Sequence, residues 1–90
     1  MIDKENEPVS WEMLCFELTD AAEHIQDLLR DMHEGDGFSE ESFRVGMAHV
    51  YAHLNRAWHR RDVTDTEEQA YSQVEHETWS RWPEDLDPVG

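Results

Sequence analysis

The chain has 90 residues, and its 22 aspartates and glutamates outnumber its seven lysines and arginines, for a formal charge of −15. So acidic a protein repels phosphate backbones and anionic lipid surfaces. No apolar run approaches the roughly 20 residues that cross a membrane. We therefore expect neither direct nucleic-acid binding nor membrane association. Four tryptophans, three phenylalanines and two tyrosines argue against a disordered acidic tail and favour one small folded domain over residues 1–90.

The first predicted helix covers residues 10–34, with Ser10 as its N-cap and glycines at positions 35 and 37 ending it. Apolar residues recur along it at alternating spacings of three and four, which is an uninterrupted heptad seam and should form half of the core. The seam consists of Trp11, Leu14, Leu18, Ala21, Ile25, Leu28 and Met32. The opposite, acidic face is expected to be solvated and carries Glu17, Asp20, Asp27 and Asp31.

The second predicted helix covers residues 39–61, with Ser39 as N-cap and Phe38 stapling onto Phe43. Its apolar positions continue the heptad spacing and broaden on one flank: Phe43, Met47, Val50, Leu54 and Ala57, with Tyr51 and Trp58 beside them. Because the connection to the first helix is short, the two helices should pack antiparallel as a hairpin. Gly46 lies inside this helix, either as a tolerated defect or to allow the helices to approach closely.

A third helix is predicted over residues 65–81, because Thr64 and Glu67 have capping-box spacing and Pro83 stops any helix before the tail. The alternative is that the second helix continues straight through residues 62–64. The termini, residues 1–8 and 83–90, are expected to be frayed. The predicted fold is therefore all-α, an antiparallel hairpin plus a C-terminal helix in a small bundle, with a dimeric four-helix-type bundle as one form of assembly.

Basic residues are concentrated in the segment Phe43–Arg61, which holds four arginines and three histidines and no acid. Acidic segments flank it on both sides. Opposite charges favour the pairing of these elements, so we expect Arg56 and Arg60 to face acids of the first helix or of the C-terminal segment. The alternative is that this stripe faces solvent as a docking site.

Motifs for metal binding and catalysis are weak or absent. His49 and His53 stand four residues apart on one helix face and can chelate a metal, but Arg56 and Arg60 continue the same stripe and disfavour a cation. The acidic loop between the helices fails as a calcium-binding loop, because Ser42 stands where the last, bidentate glutamate is required. We expect no cofactor and no enzymatic activity, with a small His-based metal-binding module as an alternative.

Cys15, the one cysteine, lies beside the first seam and fits a buried, inert thiol. With no partner for an internal disulfide, and no recognisable signal peptide, the sequence indicates a cytoplasmic protein.

A second apolar strip on the first helix, formed by Val9, Met13 and Phe16, cannot be covered by the second helix of the hairpin. Either the third helix folds over it with Tyr71, Trp79 and Trp82, or a partner protein covers it. The function that these patterns favour is protein–protein interaction, by self-association or with another protein, and in particular as a homodimer. The predicted interaction surface contains Val9, Met13, Phe16, His49, His53, Arg56, Arg60, Trp79 and Trp82. An alternative is that the acidic surface mimics nucleic acid and binds a DNA- or RNA-binding protein.

Overall fold

The computed structural model describes residues 1–90, and every regular element in it is helical. The elements are α1 (Pro8–Glu34), α2 (Glu40–His59), a single 3-10 turn (Arg60–Asp62), α3 (Asp65–Gln69) and α4 (Gln73–Trp79). The predicted all-α fold is confirmed. None of these helices combines the length and the apolar character needed to cross a membrane.

Helices α1 and α2 form the predicted antiparallel hairpin. The turn between them uses Gly37 in the left-handed region, with φ of +77°. Ser39 caps α2 by accepting a hydrogen bond from the backbone N–H of Ser42 at 3.1 Å. The rings of Phe38 and Phe43 meet edge to face with centroids 6.5 Å apart, so the predicted staple forms as well.

The helices approach closely at Gly46. A Cβ atom at this position would lie 2.7 Å from the Cδ1 atom of Leu28, far inside van der Waals contact. This contact with the end of the Leu28 side chain favours close packing of α1 on α2 as the explanation for this glycine.

The start of α1 differs from the prediction, because the helix begins at Pro8 and Ser10 is buried in the first turn instead of capping it. The carboxylate of Asp65 serves as the cap, accepting hydrogen bonds from the backbone N–H groups of Ser10 at 2.7 Å and Val9 at 3.4 Å. A cap supplied from 55 residues away has no local pattern, which is why the sequence pointed to the nearest serine instead.

The cap is reciprocal, since Glu7 accepts a hydrogen bond from the backbone N–H of Asp65 at 2.6 Å. The N-terminal segment is also held in place, because the N–H of Ile2 donates to the carbonyl of Arg61 at 2.7 Å. The prediction that residues 1–8 fray is therefore wrong. The 3-10 turn and the start of α3 offer these residues backbone and carboxylate partners that only the folded chain brings close.

The predicted helix over residues 65–81 is also wrong, because the chain forms two short helices separated at residues 70–72. The break turns Tyr71 and Trp79 so that both rings reach the guanidinium group of Arg60. The alternative of a continuous second helix fails too, because Val63 adopts an extended conformation after the 3-10 turn.

The C-terminal tail is partly docked onto the hairpin. Pro83 is buried, and Asp85 accepts a hydrogen bond from the indole N–H of Trp58 at 2.9 Å. The prediction that residues 83–90 fray therefore does not hold for the first part of this segment.

The buried core is small. Its apolar members are Leu14, Ala21, Val50, Ala57 and Val63. The predicted seams are only partly inside, because Leu18 keeps 50% and Leu54 40% of its surface exposed, and Cys15 beside the first seam is half-buried rather than buried. Two helices touch along a single line, so apolar residues that lie away from that line stay exposed.

Candidate functional site

The hairpin has an ionic side, and Glu17 of α1 lies at its centre. The Oε1 atom of Glu17 accepts a hydrogen bond from Nε of Arg56 at 3.0 Å and lies 3.8 Å from Nε of Arg60. Its Oε2 atom lies 2.8 Å from Nδ1 of His53. These four side chains keep at most 15% of their surface exposed. One carboxylate therefore serves three basic side chains in a partly dehydrated site, where ion pairs are screened less than at the surface.

His53 Nδ1 lies between two groups of opposite character, 2.8 Å from Oε2 of Glu17 and 3.0 Å from Nη2 of Arg56. A carboxylate only accepts hydrogen bonds and a guanidinium only donates them, so the tautomer of the ring sets which of the two contacts is a hydrogen bond. The ring of His24 stacks on both His49 and His53, with centroids 4.9 and 5.0 Å apart. No group of three or more His, Cys, Asp or Glu side chains is arranged to hold a metal ion.

The C-terminal segment closes one end of the ionic side through Arg60. This arginine forms an ion pair with Glu68, and its guanidinium carbon lies 4.5 Å from the ring centroid of Tyr71 and 5.6 Å from that of Trp79. The hydroxyl of Tyr71 lies 2.7 Å from Nδ1 of His76. Burial raises the pKa of the Tyr71 phenol above its ordinary value.

Helix α2 also holds the end of α4 by hydrogen bonds. Nη1 of Arg56 donates to the hydroxyl of Ser80 at 2.7 Å, and the side-chain amide of Asn55 donates to the Ser80 carbonyl at 3.0 Å. Arg56 and Arg60 thus face acids of α1 and of the C-terminal segment, as the charge pattern predicts. Because both are buried in contacts within the chain, they do not present themselves to a partner.

The acids that receive these arginines were not recognised from the sequence. Glu17 was expected on the solvated face of α1, and this is wrong, because its carboxylate is turned into the ionic side. Its spacing of four residues from Ala21 and seven from His24 is the signal that places it next to the seam. Glu68 had no such signal, since its approach to Arg60 depends on how the chain turns after α2.

The opposite side of the hairpin is apolar and uncovered. On α1 it is formed by four exposed side chains that flank or belong to the heptad seam: Leu18, Ile25, Leu29 and Met32. On α2 and the tail it is formed by Phe43, Met47, Tyr51, Leu54, Trp58, Trp82 and Leu86. We call these eleven residues the apolar face. None of them is charged, although the chain as a whole carries a charge of −15.

At the open end of the hairpin, which is the end away from the turn between α1 and α2, the apolar face deepens into a groove of about 450 Å³. Leu14 lies in the groove, α2 supplies one wall, and Trp82 and Leu86 of the tail supply the other. The rings of Tyr51 and Trp82 meet edge to face at 5.4 Å.

The polar residues that line the groove are already engaged. Asn55 donates to Ser80, and Arg61 pairs with Asp85 at 3.0 Å. The groove therefore offers a partner apolar contact with few free polar groups.

The other residues of the predicted interaction surface are distributed over the molecule. Val9 and Phe16 remain more than half exposed, and Met13 is half-buried. Trp79 packs against Tyr71 with ring centroids 5.3 Å apart. Of the three aromatic residues in the predicted interaction surface, Phe16, Trp79 and Trp82, only Trp82 belongs to the apolar face. Most of that face was not predicted as an interaction surface, because both the seams and their flanks were assigned to the core.

The dimensions of the molecule agree with an uncovered face. Its surface area is 6573 Å², whereas a monomeric protein of this mass exposes about 5,500 Å². Its radius of gyration is 15.1 Å, against about 12 Å for a compact domain of this length. Comparisons with protein-family models, with curated proteins and with solved structures found no match to this chain.

Proposed function

We propose that this chain is a protein–protein interaction module that acts as a homodimer, in which two hairpins pair through their apolar faces as a four-helix bundle. The observation that carries the proposal is the apolar face itself, which runs along both helices and whose only charged side-chain neighbour in the groove, Arg61, is already paired with Asp85. A row of half-exposed leucine, isoleucine, methionine and aromatic side chains is typical of a surface that another protein covers.

The distribution of charge explains why a second copy would bind at the apolar face and not at another side of the hairpin. Two copies that each carry a charge of −15 repel one another wherever their acids meet. The outward side of α1 is acidic, and the ionic side of the hairpin is occupied by the C-terminal segment. The apolar face is the surface on which a second copy can approach without placing carboxylates against carboxylates.

The total surface area of the chain also suits a dimer. Stable protein interfaces bury about 800 Å² on each partner. The surface of this chain exceeds the value for a monomer of its mass by about 1,000 Å², which is of the same order. Burying Leu18, Ile25, Leu29 and Leu54 would also complete the heptad seams that the sequence contains.

Light scattering after size exclusion tests the proposal. We expect a mass of twice 10.7 kDa at micromolar concentration. Ile25→Glu places a charge at the middle of the α1 part of the apolar face and should give a monomer that keeps its helical circular dichroism. Val74→Glu is the matched control, because Val74 is largely exposed on α4, away from the apolar face. A single mass of 10.7 kDa for the unmodified chain at all concentrations would refute the homodimer.

A second candidate is a nucleic-acid mimic, which the acidic outer side of α1 favours. Six exposed acids share that side by helical periodicity: Glu12, Asp20, Glu23, Asp27, Asp31 and Glu34. They stay outward when the apolar faces pair, so the two candidates are compatible. A mimic should displace duplex DNA from a basic DNA-binding protein in a salt-sensitive way, and a Glu23→Lys, Asp27→Lys variant should lose that effect.

A further inference from the structure

We infer that the two hairpins of the homodimer pair antiparallel, so that the turn of each copy lies in the groove of the other. This inference rests on the proposed function and specifies its geometry. It follows from the shapes and the charges at the two ends of the apolar face, which differ from one another.

The shapes of the two ends are complementary. The groove lies at the open end, where Leu14, Trp58, Trp82 and Leu86 are among the residues that line it. Towards the turn the face is formed by the two helices alone, with exposed side chains projecting from it, namely Leu29, Met32 and Phe43. If the hairpins paired with their turns together, groove would face groove and leave a void, which costs free energy in proportion to its volume. Antiparallel pairing fills each groove with the apolar residues near the turn of the other copy.

The charges near the turn favour the same arrangement. Five acids cluster there, against the two arginines Arg30 and Arg44: Asp31, Glu34, Asp36, Glu40 and Glu41. Pairing with the turns together would bring the acids of both copies into one region. Antiparallel pairing separates the turns by most of the length of α1, well beyond the Debye length of about 8 Å at physiological ionic strength.

The charges that border the groove are mixed. Arg61 pairs with Asp85 at 3.0 Å, and the N-terminal amine of Met1 lies 2.9 Å from Asp62. Glu84 and Asp87 of the tail are exposed on either side of Asp85. The antiparallel orientation is therefore favoured by the complementary shapes of the two ends and by the separation of the two turns, and not by a neutral groove.

Spin labels on single cysteines test the orientation in a Cys15→Ala background. One label replaces Asp36 in the turn, and the control label replaces Gln26, which is exposed beside the α1 part of the apolar face, near its middle. From the rise of 1.5 Å per residue, labels at position 36 should lie about 30–40 Å apart in the antiparallel dimer. With the turns together they would lie within about 25 Å. Labels at position 26 should lie within about 25 Å in both arrangements.

Double electron–electron resonance measures the distance between the two spin labels of a dimer, and its three possible outcomes are distinct. A short distance at position 26 with a long one at position 36 supports antiparallel pairing. Short distances at both positions overturn the antiparallel orientation and leave the homodimer standing. No coupling at either position, in labelled variants whose helical circular dichroism is unchanged, refutes the homodimer and the orientation with it.

Discussion

Glu17 and Arg56 form an ion pair between α1 and α2, with Oε1 of the glutamate 3.0 Å from Nε of the arginine. Glu17 keeps 14% of its side chain exposed and Arg56 keeps 8%. At this depth an unpaired charge is expensive, so the pair matters less for the attraction it adds than for the penalty when one partner is lost.

Replacing Glu17 by glutamine should therefore destabilise the protein strongly. The amide cannot neutralise Arg56 and Arg60, and breaking a buried pair by removing one partner typically costs about 3–5 kcal/mol. Urea unfolding followed by circular dichroism measures the change. Glu23→Gln is the control on the exposed side of α1 and should stay within about 0.5 kcal/mol. Equal midpoints for the two variants would show that the ionic side contributes little to stability.

The leucines of the heptad seams should separate into two classes. Leu14→Ala should cost about 2–5 kcal/mol, because Leu14 is buried within one copy. Leu18→Ala and Leu54→Ala should cost less in the isolated protomer, where water already reaches much of each side chain, and should chiefly weaken the dimer. Unfolding measured at protein concentrations below and above the dissociation constant of the dimer distinguishes the loss of protomer stability from the loss of dimer stability. If the Leu18 variant loses as much as the Leu14 variant at every concentration, the apolar face does not self-associate.

The reciprocal caps between the start of α1 and the start of α3 should be measurable one at a time. Asp65→Ala removes the acceptor for the first turn of α1 and should cost about 1 kcal/mol. In a chain of this size that corresponds to roughly 4–8 °C in melting temperature. Glu7→Ala should behave similarly, and Thr66→Ala, an exposed change in the same helix as Asp65, serves as the control. A melting temperature that Asp65→Ala leaves unchanged would contradict the capping role.

Tyr71 should make stability sensitive to alkaline pH. Burial raises the pKa of its phenol above the ordinary value of 10.0, so the folded state holds this proton more tightly than the unfolded state does. Its contribution is complete below about pH 10 and is lost as the pH rises through the pKa of the folded state. The urea midpoint of the natural chain should fall more steeply above about pH 10 than that of Tyr71→Phe. Parallel curves for the two proteins would show that the phenol does not report on folding.

Local patterns predicted the parts of the fold that depend on neighbours in sequence. Ser39 and Phe38 shape the start of α2 through residues three to five positions away, so their roles could be recognised directly. The antiparallel hairpin follows from the short connection. The cap on α1 could not be predicted in this way, because Asp65 reaches it from a different helix.

The candidate site also has one part that the sequence predicted and one part that depends on how the helices pack. That Arg56 and Arg60 would face acids could be predicted from the charge pattern, but the choice of Glu17 and Glu68 depends on the angle at which the helices pack and on the turn of the chain after α2. The apolar face was hidden by the heptad pattern itself, since a seam and its flank have the same composition and only packing shows which of them is covered.

Periodicity, capping and the segregation of basic from acidic segments can all be read from the amino-acid order, and they suffice for the two long helices and their antiparallel arrangement. These signals act between near neighbours or over whole segments, so they need no knowledge of the folded chain. The exposure of Leu18 and Leu54 and the burial of Arg56 and Arg60 arise only in three dimensions. Helices α3 and α4 pack on the ionic side of the hairpin, and the tail covers only the groove end of the apolar face. Which side these segments cover determines which residues of α1 and α2 are buried, and no local pattern in the sequence records that.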